Sequence, residues 1–97
     1  MFASIRQYDA SPEDIEELTE LARASFLPRL QKDDGFQAYY VVDGGKGEFI
    51  SVTIFSDEEG AHRSIAMARD WVKTNAASLL PNPPRVFEGE VTIAAGR

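Results

Sequence analysis

A tryptophan, an asparagine four residues after it and a single histidine are the residues best suited to chemistry in this chain of 97 residues. His62, with an ordinary pKa near 6.5, suits a general base or a metal ligand. One histidine in a chain without cysteine cannot build a zinc site, so no metal is expected. Trp71 and Asn75 fall one helical turn apart. On a cavity wall the indole would stack on a flat substrate and the amide would hydrogen-bond its oxygen. These three are the catalytic candidates. Arg29 projects toward the apolar side of its helix. There it would neutralise an acidic substrate group or cap the backbone that Pro28 leaves unbonded. Tyr8, Tyr39 and Tyr40 offer phenolic hydroxyls and complete the ligand-binding candidates. Plainer readings stand beside these: a half-exposed polar group near a helix start for His62, packing or an interface for Trp71, and packing with the hydroxyl at a wet edge for the tyrosines.

Other polar runs carry less. Glu13 to Glu20 reads as a solvated helix face. Gly44-Gly45-Lys46-Gly47 lacks the glycine spacing and the Ser/Thr of a phosphate loop and sits between strands.

The elements that position these residues are readable in order. Phe2 to Tyr8 alternates as a strand, with Ala3 and Ile5 opposite Ser4, Arg6 and Tyr8. Ser11-Pro12-Glu13-Asp14 opens a helix, Ser11 as cap and Pro12 at the first helical position. Ile15, Leu18, Ala22, Phe26 and Leu30 recur at helical spacing, and Pro28 predicts a kink or break near Phe26 to Leu27. Gly35 to Phe55 is a β-hairpin around Asp43-Gly44-Gly45-Lys46-Gly47. Strict alternation puts Phe36, Ala38, Tyr40 and Val42 on one face of its first strand, and Gln37, Tyr39 and Val41 on the other. The return strand sets Ile50, Val52 and Ile54 against Phe49, Ser51, Thr53 and Phe55. Neither strand has a clean polar face.

A capping box at Ser56-Asp57-Glu58-Glu59 opens a second helix, predicted to about Leu80, with the stripe Ala61, Ile65, Ala68, Val72, Ala76 and Leu79. Pro81-Asn82-Pro83-Pro84 stops it, and Arg85 to Ala94 reads as the last strand.

The order is β-α-β-β-α-β, so the fold class is α+β: a ferredoxin-like arrangement over residues 1–97, a single domain. Right-handed crossovers put both helices on one face of an antiparallel four-stranded sheet. The other face keeps apolar side chains and needs cover, which a second copy supplies most economically, giving a homodimeric α+β barrel. The net charge of −6 and pI of about 4.6 argue against nucleic acid and anionic membrane surfaces as partners. No apolar run approaches a membrane span, no leader pattern opens the chain, and the lack of cysteine suits a reducing cytoplasm.

With this order, the chain resembles the dimeric α+β barrel superfamily, especially the antibiotic biosynthesis monooxygenase-like (ABM-like) domains. The likeness rests on Gly35-Phe36-Gln37-Ala38-Tyr39-Tyr40-Val41-Val42-Asp43, on Ser51-Val52-Thr53-Ile54-Phe55-Ser56-Asp57-Glu58-Glu59-Gly60-Ala61, and on Trp71-Val72 leading to Leu80-Pro81-Asn82-Pro83-Pro84. The resemblance implies a cavity between the helix-facing side of the sheet and the helices. It implies a cofactor-free oxygenase acting on a small aromatic or polyketide-like compound. The alternative is a non-catalytic homodimer that binds a small apolar ligand or a partner. Haem handling fits poorly, because that branch places its histidine after the helix tryptophan and His62 precedes Trp71.

Overall fold

The computed structural model describes residues 1–96. Strand β1 (Phe2–Asp9) is followed by a 3-10 turn at Pro12–Asp14, helix α1 (Ile15–Leu21), a π-helical turn at Ala22–Phe26 and helix α2 (Leu27–Gln31). Strands β2 (Phe36–Gly45) and β3 (Glu48–Phe55), helix α3 (Glu58–Asn75) and strand β4 (Arg85–Glu90) complete the fold. All neighbouring strands are antiparallel, in the order β2-β3-β1-β4, as the ferredoxin-like expectation requires.

The helices cover one face of the sheet. On that inner side Ser4, Arg6 and Tyr8 of β1 and Phe49, Ser51, Thr53 and Phe55 of β3 are buried. Leu18, Ala22, Phe26 and Leu30 of the first helical rod close over them with Ala68 and Trp71 of α3. Gly60 lets α3 approach the sheet, since a Cβ there would lie 2.5 Å from a Phe55 ring carbon. The opposite face carries Ile5, Ala38, Tyr40, Ile50, Val52, Ile54 and Phe87. Tyr40 and Phe87 are 58% and 52% exposed there. Its charge is confined to one end, where Arg85 stacks on Phe87.

The structure refines several local expectations. The hairpin's first strand carries a bulge between Phe36 and Ala38, which shifts the alternation by one residue. Phe36 therefore packs inward with Tyr39 and Val41, leaving Ala38, Tyr40 and Val42 outside. The strands also run further into the glycine segment than expected, and the reversal is made at Lys46 and Gly47, with φ of 56° and 85°. Pro28 disturbs the helix where the sequence predicts a kink or break, but does not end it. The turn before it widens instead, with the Leu27 N–H donating to the Ala22 carbonyl, a spacing of five. This relieves the clash of the proline ring, and the rod continues to Gln31. The Ser11 hydroxyl makes no capping bond, whereas Asp57 caps α3 by accepting from the Gly60 N–H at 2.8 Å. Finally, α3 ends at Asn75 and β4 at Glu90, each shorter than the sequence pattern suggests.

Candidate functional site

Arg6 lies at the centre of the inner face, only 2% exposed. Its Nη1 donates to the Ser4 hydroxyl at 3.3 Å, and its guanidinium carbon sits 5.6 Å from the centre of the Phe26 ring. Its Nε has no hydrogen-bond partner. Among the described residues no carboxylate comes within 4.0 Å of it. A buried cation without a counterion is costly, because neither water nor a fixed charge replaces its hydration. Ser51, opposite Arg6 on β3, and Thr53, opposite Ser4, also bury hydroxyls without partners. The middle of the inner face is thus a polar island inside an apolar shell.

A cavity of about 410 Å³ opens beside this island. Its walls are Arg6 and Tyr8 of β1, Ile65 and Val72 of α3, Leu80, and Val86 of β4, and Pro81 to Pro84 form part of the rim. This is a volume suited to a small organic molecule, and apolar walls with one convergent polar group are the usual make-up of such sites. A smaller chamber of about 10 Å³, room for one water-sized group, continues inward between Arg6, Phe26, Tyr39, Ser51 and Trp71. Arg6 and Tyr8 border both spaces.

Burial pushes the Tyr8 hydroxyl pKa up, against the downward pull of the Arg6 guanidinium. Burial likewise pushes Tyr39 up to about 12, the same arginine opposing it. Both phenols therefore stay protonated at neutral pH and act as donors, not bases.

The candidates from the sequence fall in several places. Trp71 is buried, its ring 5.5 Å from Phe26, and its indole N–H donates to the Ser25 hydroxyl at 2.6 Å. It borders the inner chamber with its ring, while its polar edge is engaged with the helix. The Asn75 amide donates to the Trp71 carbonyl at 3.1 Å and lines neither space. His62 sits on the outside of α3, its Nε2 3.2 Å from Glu88 Oε1 and its ring edge-on to Phe2. That pair ties α3 to β4 and lies away from the cavity. Tyr8 and Tyr39 face the helices, whereas Tyr40 lies on the opposite face. Arg29, expected to point inward, is exposed, because the π turn rotates the residues after it. No group of His, Cys, Asp or Glu among the described residues could hold a metal ion.

Arg6 is the site residue that residue type alone does not single out. The sequence places it with Ser4 and Tyr8 on one strand face, opposite Ala3 and Ile5. The signal was there in the pairing: small hydroxyls on both central strands make room for a long cation between them.

No protein-family model matches the chain, and no curated protein matches it. Solved structures do. NE2512, a protein of unknown function from Nitrosomonas europaea, superposes with a TM-score of 0.78 at 26% identity, over 99% of this chain and 93% of that one. A monooxygenase from Streptomyces coelicolor, ActVA-Orf6, solved with the ligand nanaomycin D, gives 0.76 at 18% identity, over 99% and 91%. An antibiotic biosynthesis monooxygenase gives 0.72 at 18% identity, over 96% and 100%. The chain therefore shares the fold of these monooxygenases. The sheet carries its helices on one side, and the larger cavity lies under α3 and the proline segment, with the first helical rod walling only the inner chamber.

Proposed function

We propose that this ABM-like domain works as a homodimer, its two sheets packed through their apolar faces, and binds a small aromatic compound in the cavity beside Arg6. The reaction that suits the site is cofactor-free oxygenation of a phenol. The guanidinium stabilises the phenolate oxygen and lowers the substrate's pKa. The electron-rich ring then reduces dioxygen. One oxygen atom bonds to a ring carbon, whose hydrogen leaves together with the phenolic proton and the other oxygen atom as water, and a quinone remains. Tyr8 and Tyr39 donate hydrogen bonds, and the apolar walls exclude bulk water. Trp71 packs against Phe26 behind the inner chamber and supports this wall without reaching the ligand. The substrate supplies all the electrons, so no cofactor is needed, and a cysteine-free chain suits work in the cytoplasm.

The observation that carries this reading is the buried Arg6 guanidinium with an unpartnered Nε, bordering an apolar cavity. An oxygen electrode with a panel of naphthols and hydroquinones tests it. Oxygen uptake matched by quinone absorbance is expected. A phenol that binds without consuming oxygen would leave the second reading, a non-catalytic binding module. One feature favours that second reading: no histidine or carboxylate lines the cavity to act as a base.

A further inference from the structure

The cavity's rim is charged in a way that neither the apolar walls nor the net charge accounts for. Arg69 and Lys73 of α3 border the cavity together with Arg6. The chain has 10 Lys and Arg against 16 Asp and Glu, yet three of those cations and none of the acids line this one space. Among the described residues none of the three has a carboxylate within 4.0 Å. Arg69 and Lys73 stand four apart on one helix face, where like charges repel and weaken the helix. Nothing in the packing of α3 requires both. Pro81, Pro83 and Pro84 face them across the opening. Proline backbones have little freedom to lose, so this wall of the mouth is ready-made for a ligand.

Arg6 is buried at the floor and the other two cations are exposed at the mouth, with Ile65, Val72 and Val86 between. We infer that the ligand is a two-ended acid: an aromatic body with a phenolic oxygen at the buried end, beside Arg6, and a carboxylate at the open end, held by Arg69 and Lys73. This rests on the small-aromatic reading of the cavity and adds the second functional group. Carboxylate pairs with Arg or Lys are stronger than neutral hydrogen bonds, so the rim selects acids over their esters. On an acidic protein the same cationic mouth also steers an anion inward.

Calorimetry without oxygen tests it, using 6-hydroxy-2-naphthoate, whose hydroxyl and carboxylate lie at opposite ends, and its methyl ester. The acid is expected to bind about tenfold tighter at low salt, the size of one charge-assisted contact. That preference should fade as salt approaches about 0.5 M, because exposed charges are screened. In the double variant Arg69→Gln/Lys73→Gln the two ligands should bind equally. Both side chains are exposed, so the variant is expected to fold. Equal binding of acid and ester by the unaltered chain, or a preference that survives the double variant, would overturn the two-ended ligand and leave the aromatic cavity standing. If neither compound binds, both readings fall together.

Discussion

Arg6 shows how a residue can be costly to the fold and still be retained. It loses hydration on burial and recovers the Ser4 hydroxyl, the neighbouring Tyr8 hydroxyl and the face of Phe26. Replacing buried ionic groups with apolar ones of similar volume is neutral or stabilising, by roughly 1–4 kcal/mol. Arg6→Met should therefore leave the urea midpoint unchanged or raise it. A drop of more than about 2 kcal/mol, of the size seen when a buried network is broken, would mark Arg6 as structural. At this scale the sequence was only partly legible. Alternation placed Arg6 beside Tyr8, but a charged residue on a strand reads by default as solvent-facing. Trp71 and Asn75 stood out by residue type, and type does not reveal that the indole N–H is already bound to Ser25 and the amide to a backbone carbonyl.

Two contacts decide how the elements close on each other. α3 lies against the sheet at Gly60, above the fully buried Phe55. Gly60→Ala must displace that ring, and overpacking of this kind costs roughly 1–3 kcal/mol; thermal unfolding measures it, and an unshifted Tm would show that the ring yields freely. The start of β2 is held by Asp33, whose carboxylate takes two hydrogen bonds from Arg63 of α3, at 2.9 and 3.0 Å. The Arg63 hydrogen bonds first, and the Gly35 N–H second, hold the Asp33 pKa below its ordinary 3.8. A depressed carboxylate stabilises the fold above its unfolded pKa and loses that contribution as pH falls through the folded one. The stability gap between the chain and Asp33→Asn should thus be level near neutrality and close below about pH 4. A gap that widens with acid would contradict the assignment. Element order and type were legible because hydrophobic period, turn residues and prolines all agreed. The bulge at Phe36 to Ala38 was not, and Pro28 announced a disturbance near Phe26 without its π form. Bulge and π turn each insert one residue into a regular ladder, and no side-chain pattern announces such an insertion.

For the whole molecule, the face away from the helices is the consequence that sequence reasoning reached most directly. Ile5, Val52, Ile54, Tyr40 and Phe87 form an apolar surface that the chain's own helices do not cover. Packing two such faces would bury them as sheets pack in a sandwich. Light scattering is expected to give about twice the 10.7 kDa chain mass. Val52→Lys, in the middle of that face, is expected to give a folded monomer by scattering and circular dichroism. A folded monomer from the unaltered chain would remove the dimer. The cavity opens on the other side of the sheet, so ligand binding and pairing of chains are separable in such variants.

In the proposed complex a small aromatic's oxygen meets the Arg6 guanidinium. The most direct measurement is a nuclear magnetic resonance titration of the Arg6 Nε–H signal, assigned by its loss in Arg6→Met, as a naphthol is added. A saturating shift of that signal, one ligand per chain, is the predicted result. A naphthol that binds while the signal stays still, or no naphthol binding at all, would contradict it.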